Sequence, residues 1–268
     1  MTISTQELTT ARVFPARAET DVWLHHKPNP NASFRLFCFP PSGVGASLFH
    51  RWSRYLPREI DVFAVQLPGR ETRLTETPCA SIFSAAQKLA EIIATYSDLP
   101  FACYGHSMGG LLAFEVIREL RELGSGGPSH LFVGACPAPH LPRRHQPIRN
   151  LPDREFLVEL SRRYGGIPQE VMESSELMEL FLVPLRADFT MLEQWSFVKK
   201  ELVDCPITAF GGFQDQSVTM EEIGAWKMQT NSTFSLSMLP GGHLFVRESY
   251  QSLLKAIAPK LSDEVAVC

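Results

Sequence analysis

The chain alternates short, largely apolar runs with longer stretches whose apolar residues return every three or four positions. FRLFCF (34–39), IDVFAV (60–65), FACY (101–104), LFVGA (131–135) and ITAF (207–210) are runs of the first kind. Runs of this length predict strands buried on both faces. TFSLSM (233–238) adds a strand that alternates polar and apolar residues. Helical spacing covers residues 47–56, 82–96, 111–123, 219–229 and 245–257; in the second of these it runs through Ile82, Ala86, Leu89 and Ile93. Strand and helix in alternation build βαβ units, so the expected fold class is α/β, with a mostly parallel central sheet flanked by helices. Residues up to about 31 read as a polar arm with scattered prolines, in which Val22-Trp23-Leu24 can pair as an edge strand.

The alternation stops between His140 and about Glu201. Here the spacing predicts two helices, 154–164 and 176–197, separated by Gly165-Gly166 and Pro168, and no strand. A helical insertion between strands is expected to cover the C-terminal edge of the sheet as a lid. The chain, 1–268, is therefore read as a single domain with a lid insertion at about 140–201.

Composition narrows the partners. A net charge of −4 and the absence of any basic run argue against nucleic acid. No stretch of about 18 apolar residues is present, so no membrane contact is expected. The N-terminal residues contain no apolar signal core. The six cysteines show no CxxC and no framework spacing, which fits a reducing, cytoplasmic compartment. No HExxH and no Cys/His cluster is present, so no metal is expected.

The chemistry centres on GHSMG (105–109), which directly follows an apolar run and directly precedes a helical pattern. GxSxG alone arises readily by chance; strand before and helix after is the context a nucleophile elbow requires. Gly105 and Gly109 are expected to flank Ser107 because a Cβ at either place would collide with the neighbouring helix or strand. A serine hydroxyl needs a base, oriented by an acid, and α/β-hydrolases supply them in the order Ser…Asp/Glu…His. Of His130, His140, His145 and His243, only His243 follows a late strand, in the glycine-rich LPGGHLF. Asp215 follows the 207–210 strand and is the preferred acid, with Asp188 and Asp204 as rivals and helix N-capping as its alternative role. The oxyanion hole is expected from the N–H of Met108 and from the loop after residue 39, with Ser42 the preferred donor. These residues make acyl transfer to Ser107 and then to water the economical hypothesis; a non-catalytic binding module is the contrasting one.

FCFPPSGVGASLFHRW, AVQLPGRETR, YGHSMGGLLAFEV, VPLRADF, FGGFQDQ and LPGGHLFV occur in this order across residues 37–246. Together they resemble the stand-alone type II thioesterases of non-ribosomal peptide and polyketide pathways, members of the α/β-hydrolase superfamily. The resemblance implies hydrolysis of acyl or aminoacyl thioesters from the phosphopantetheine arm of carrier proteins, an editing role. It implies Ser107, Asp215 and His243 as the triad, Ser42 and Met108 as oxyanion donors, and acyl or peptidyl carrier domains as partners of a monomer. It implies no cofactor beyond the phosphopantetheine that the substrate carries. The family often has Ala-Gly-Gly where Ser42-Gly43-Val44 stand. The vertebrate thioesterase that ends fatty-acid synthesis is similar too, so a medium-chain acyl thioesterase is an alternative, as is a small-molecule serine esterase or acyltransferase.

Two features of the lid carry expectations of their own. Leu177, Leu180, Phe181, Pro184, Leu185, Phe189, Leu192 and Trp195 recur at helical spacing, and a few should wall an acyl pocket. Residues 141–163 hold six Arg against three acids, either a docking surface for an acidic carrier or a solvated helix face. Arg186 and Asp188 are expected to pair within the lid or to be exposed.

Overall fold

The computed structural model describes residues 22–267. Most of the polar arm, residues 1–21, lies outside them. The strands are β1 (Leu24–His25), β2 (Phe34–Phe39), β3 (Ile60–Val65), β4 (Phe101–His106), β5 (His130–Gly134), β6 (Ile207–Gly212) and β7 (Phe234–Leu239). They form one sheet in the order β1-β3-β2-β4-β5-β6-β7. Among the described residues only the edge strand β1 runs antiparallel, pairing Leu24 with Val65, and the other strand pairings are parallel. This is an α/β fold with a mostly parallel sheet flanked by helices.

The apolar runs are buried on both faces because helices cover both. Side chains of a strand alternate between faces, so Phe37, Cys103 and Leu131 pack with α1 (Ile82–Ala94) and α2 (Met108–Glu122). Leu36, Ala102 and Phe132 point the other way, onto Leu253, Leu254, Ile257 and Leu261 of α8 (Tyr250–Val267). The thiols of Cys38, Cys103, Cys136 and Cys205 are free and buried, and burial raises each well above its usual pKa.

Three expected helices differ in form. Residues 47–56 make two 3₁₀ turns, Ala46–Phe49 and Trp52–Arg54, in place of one α-helix. Ala46, Phe49 and Trp52 are all buried at a spacing of three, the period at which 3₁₀ side chains stack on one side. Phe49 and Trp52 thereby both reach the Tyr104 ring. The 219–229 helix is a short α6 (Met220–Gly224) continued by a 3₁₀ turn, Ala225–Gln229. The last helix breaks into α7 (Phe245–Glu248) and α8, which runs ten residues beyond the expected end. Ser249, a residue type favoured where helices begin, separates them, and its carbonyl accepts the Ser252 and Leu253 N–H groups of α8.

Between β5 and β6 lie α3 (Asp153–Tyr164), α4 (Gln169–Glu173) and α5 (Ser175–Gln194). They gather around Phe156, Leu157, Leu160, Leu182, Leu185 and Phe189, a hydrophobic cluster separate from those of the sheet. No described helix is long and apolar enough to cross a membrane.

Candidate active site

The elbow is built as its glycines require. Ser107 sits at φ 53°, ψ −118°, a backbone region that side chains rarely adopt, between the end of β4 and the first residue of α2. Its own N–H is tied to the Gly134 carbonyl at 2.7 Å. A Cβ on Gly105 would overlap the Gly109 backbone, and one on Gly109 would overlap the carbonyls of Phe39 and Pro40. Gly110 faces Val133 and Cys136, where a Cβ would be tight. The strain at Ser107 therefore persists because neighbouring backbone leaves no other path.

Loops at the C-terminal ends of parallel strands open on one edge. Ser107 after β4, Asp215 after β6 and His243 after β7 meet there. His243 Nε2 lies 2.9 Å from Ser107 Oγ, and His243 Nδ1 lies 2.9 Å from Asp215 Oδ2. The rival groups are elsewhere. His130 packs flat on Phe132 and bonds Thr208; His140 bonds Gln229. Asp204 pairs with Arg121 at the surface. Helix capping near Asp215 falls to Thr219, whose capping box with Glu222 opens α6.

Asp215 is fixed by a neighbour absent from the sequence reading. Ser217 donates both its N–H (2.8 Å) and its hydroxyl (2.7 Å) to Asp215 Oδ1, which leaves Oδ2 for His243. The D-x-S spacing is the signal, since an aspartate readily accepts from the backbone two residues on. Burial works to raise the Asp215 pKa, but the hydrogen bonds from His243 and Ser217 outweigh it and hold the carboxyl below its usual range. The carboxylate is thus ionised wherever the imidazole needs it. Ser217→Ala is expected to lower kcat about tenfold with KM unchanged, the scale of one hydrogen bond; steady-state kinetics check it.

His106, inside the motif, anchors the histidine loop. Its Nε2 lies 2.7 Å from the His243 carbonyl, which can only accept, so Nε2 carries the hydrogen. Nδ1 is then free to accept from the Tyr104 hydroxyl at 3.0 Å. Gly134 leaves room, since a Cβ there would come within 2.8 Å of both groups. Burial, with His243 alongside, pushes the His106 pKa down to about 3. The unfolded chain, with an ordinary histidine near 6.5, therefore binds more protons than the folded one between about pH 6.5 and 3. Stability falls as pH drops through that window. Wild type is expected to lose about 1 kcal/mol more than His106→Gln between pH 6 and pH 5, measured by urea unfolding.

Ser42 and Met108, the expected oxyanion donors, each line a cavity that Ser107 also lines. Met108 is the first residue of α2, where N–H groups have no partner within the helix and the dipole favours negative charge. Ser42 lies in the loop after β2, and among the described residues neither the Ser42 nor the Met108 N–H donates a hydrogen bond. The next N–H, of Gly43 at φ +74°, is taken: it donates to Asp188 Oδ2 at 2.7 Å.

Asp188 corrects an expectation. It neither pairs with Arg186 nor is exposed; it is wholly buried and grips Arg70 through two bonds of 2.6 and 2.7 Å. Arg186 turns instead to Asp153 and to the carbonyls of Arg149 and Leu151. The segments QLPGR and LRADF, far apart in sequence, thus meet against the 42–46 loop. Gln66 completes the contact by accepting the Ala46 N–H at 2.7 Å while donating to the Arg70 carbonyl at 2.9 Å.

Two cavities flank Ser107. One of about 130 Å³ runs between the Ser42-Gly43-Val44 loop and Phe181 and Leu185 of α5. The other, about 200 Å³, runs past Leu111, Ala138, Leu141 and Trp195. Tyr164, Phe189, Leu192 and His243 belong to both walls. Of the apolar positions expected along the second insertion helix, Phe181, Leu185, Phe189, Leu192 and Trp195 line these cavities, whereas Leu177 and Leu180 line neither. The arginine-rich stretch is largely neutralised in place. Arg144, Arg149, Arg162 and Arg163 pair with glutamates, and Arg143 donates to the carbonyls of Leu192 and Trp195.

Residues 34–261 match the family model of the thioesterase domain, most of the chain. The chain belongs to the thioesterase family. As a thioesterase it is a hydrolase acting on thioesters, and its close relatives include type II thioesterases of non-ribosomal peptide and polyketide pathways. It is 41% identical over 233 residues to the gramicidin S biosynthesis protein GrsT of Aneurinibacillus migulanus, which covers 87% of this chain and 91% of that protein. The RedJ thioesterase from the prodiginine biosynthetic pathway in Streptomyces coelicolor superposes with a TM-score of 0.80 at 35% identity, covering 87% of this chain and 92% of RedJ. The type II thioesterase BorB from the borrelidin biosynthetic cluster superposes with a TM-score of 0.78 at 32% identity, covering 89% and 96%.

Proposed function

We propose that this thioesterase removes acyl or aminoacyl groups from the phosphopantetheine arm of carrier domains in a non-ribosomal peptide or polyketide synthase, and so clears chains that stall it. The observation that carries the reading is the 2.9 Å bond from Ser107 Oγ to His243 Nε2 beneath an apolar roof supplied by α3 and α5.

Ser107 Oγ attacks the thioester carbonyl while His243 Nε2 takes its proton. Asp215 holds Nδ1–H of the imidazole and stabilises the imidazolium without itself being protonated. The N–H groups of Met108 and Ser42 receive the developing oxyanion. Collapse expels the pantetheine thiolate, which takes the proton back from His243 and leaves an ester on Ser107. Water, deprotonated by the same histidine, then releases the acid and restores the serine. The thiol-bearing arm belongs to the substrate, so the chain needs no cofactor of its own. Two apolar cavities meeting at one nucleophile suit a substrate with two limbs, the acyl chain and the pantetheine arm.

The test compares acyl-loaded carrier protein, an acyl-CoA of the same chain and the p-nitrophenyl ester of that acid. A higher kcat/KM on the carrier substrate is expected. Preference for the simple ester would assign the site to a small-molecule esterase, and preference for free medium-chain acyl-CoA would detach it from carriers.

A further inference from the structure

We propose that Asp188 is a positioning residue that sets the oxyanion loop, so that the hole is complete only while α5 is seated on it. The proposal rests on Ser107 being the nucleophile, as above. An oxyanion donor must be aimed before the charge develops, because a loop that reorients during the reaction forfeits the gain. The Ser42 N–H belongs to a loop of small residues with a left-handed glycine at Gly43, and the loop's own sequence closes it with a single turn bond, from the Val44 N–H to the Pro41 carbonyl at 3.2 Å.

The restraints that fix this turn against the rest of the fold come from two other parts of the chain. On one side Asp188 Oδ2 accepts the Gly43 N–H, one peptide beyond Ser42. The carboxylate that does so cannot turn away, because both of its oxygens are also held by the Arg70 fork. Both side chains are nearly or wholly excluded from water, 3% exposed for Arg70 and 0% for Asp188. On the other side Gln66 holds the Ala46 N–H, and Glu71 holds the N–H and hydroxyl of Ser47. Glu71 is itself one of three described non-glycine residues at positive φ, so the turn that carries Arg70 is bent to bring these acceptors to the loop. Gly43 completes the fit: a Cβ there would strike Leu185, one turn before Asp188 on the same helix.

The placement has a directional consequence. The Gln66 and Glu71 restraints stay with the body of the fold, whereas the Asp188 restraint is lost whenever α5 moves away. α5 also walls both cavities, so whatever fills them acts on the helix that holds the loop. The QLPGR and LRADF segments are accordingly two halves of one device, which aims a backbone donor that neither of them contains.

The experiment uses the full-length protein with Arg70→Met/Asp188→Leu, which replaces the buried pair by apolar groups of similar size and leaves no orphaned charge. Asp188→Asn, which offers fewer acceptors to Arg70 and Gly43 together, is the second variant and carries the same test if the first does not fold. Each is titrated with two probes. An acyl trifluoromethyl ketone bonds its carbonyl carbon to Ser107 Oγ, passes the serine proton to His243 and leaves an oxyanion in the hole. The matching acyl-pantetheine amide binds without reacting and reports the ground state. The expected result is a loss of ketone affinity on the order of 10²-fold, the scale of one oxyanion donor, and an equal loss of kcat. Amide affinity is expected to change less than about threefold. A folded variant with wild-type ketone affinity overturns the proposal, and so do parallel losses for both probes, which would mean general damage to the site. Failure of the wild-type protein to form the Ser107 adduct at all would instead overturn the functional reading on which the proposal rests.

Discussion

Ser107→Ala is expected to reduce kcat on an acyl-carrier thioester by about 10⁴–10⁶-fold, and adding His243→Ala to it to cost little more. Residues that act as one unit lose the whole benefit at the first deletion. His243 has no base role without a hydroxyl to deprotonate, and Ser107 Oγ is a weak nucleophile without the imidazole 2.9 Å away. His243→Ala alone should fall to the same floor, with the rate that remains owed to binding and to the oxyanion donors. Asp215→Ala should cost less than either. Its carboxylate orients a base that Tyr164 also contacts, ring to ring at 5.0 Å, and that the His106 bond holds from its backbone. Single-turnover rates on the three single variants and the Ser107/His243 pair give the answer. A double variant far slower than either single one would mean that the two residues act separately.

The second large effect is on folding. Gly109→Ala is expected to destabilise the protein by about 3 kcal/mol or more, or about 6–12 °C in Tm. The added methyl would overlap the carbonyls of Phe39 and Pro40, and both are backbone that cannot swing aside. Relief would need α2 to draw back from β2, which would carry the Met108 N–H away from Ser107. Activity should therefore fall further than the loss of folded protein explains. Gly126→Ala, on a loop where nothing lies within 4 Å of the added carbon, should stay within about 0.5 kcal/mol of wild type. Calorimetry on the two variants separates crowding at the elbow from the general cost of replacing glycine.

The parts of this molecule legible in the sequence are those in which a local pattern and a tertiary demand coincide. FRLFCF and IDVFAV span the strands residue for residue, because a strand covered on both faces is apolar at nearly every position, here at all but Arg35 and Asp61. GHSMG could be read because its glycines answer to contacts within a few residues and to a strand that must lie beside it. Asp215 and His243 were legible through topology: each follows a late parallel strand, and all such loops share one edge. The 46–54 segment misled because aromatic residues three apart fit a 3₁₀ stack as well as an α-helix, and only the position of Tyr104 decides between them. Asp188 misled for a different reason. Its partner Arg70 lies 118 residues away, and the sequence shows only the nearer Arg186. His106 sits inside GHSMG and Ser217 directly follows FGGFQDQ, yet their roles depend on the His243 loop, whose carbonyl His106 holds and whose imidazole meets the carboxylate that Ser217 fixes. Contacts made across the fold, rather than along a strand or helix, carry the second layer of the site.

The most direct test is to stop a reaction with acyl-loaded carrier protein in acid within milliseconds and weigh the peptide containing Ser107. The expected result is a peptide heavier by the acyl group less one hydrogen, formed before free acid accumulates and absent from Ser107→Ala. Product released with no acyl group ever found on Ser107, and turnover retained by Ser107→Ala, would contradict it.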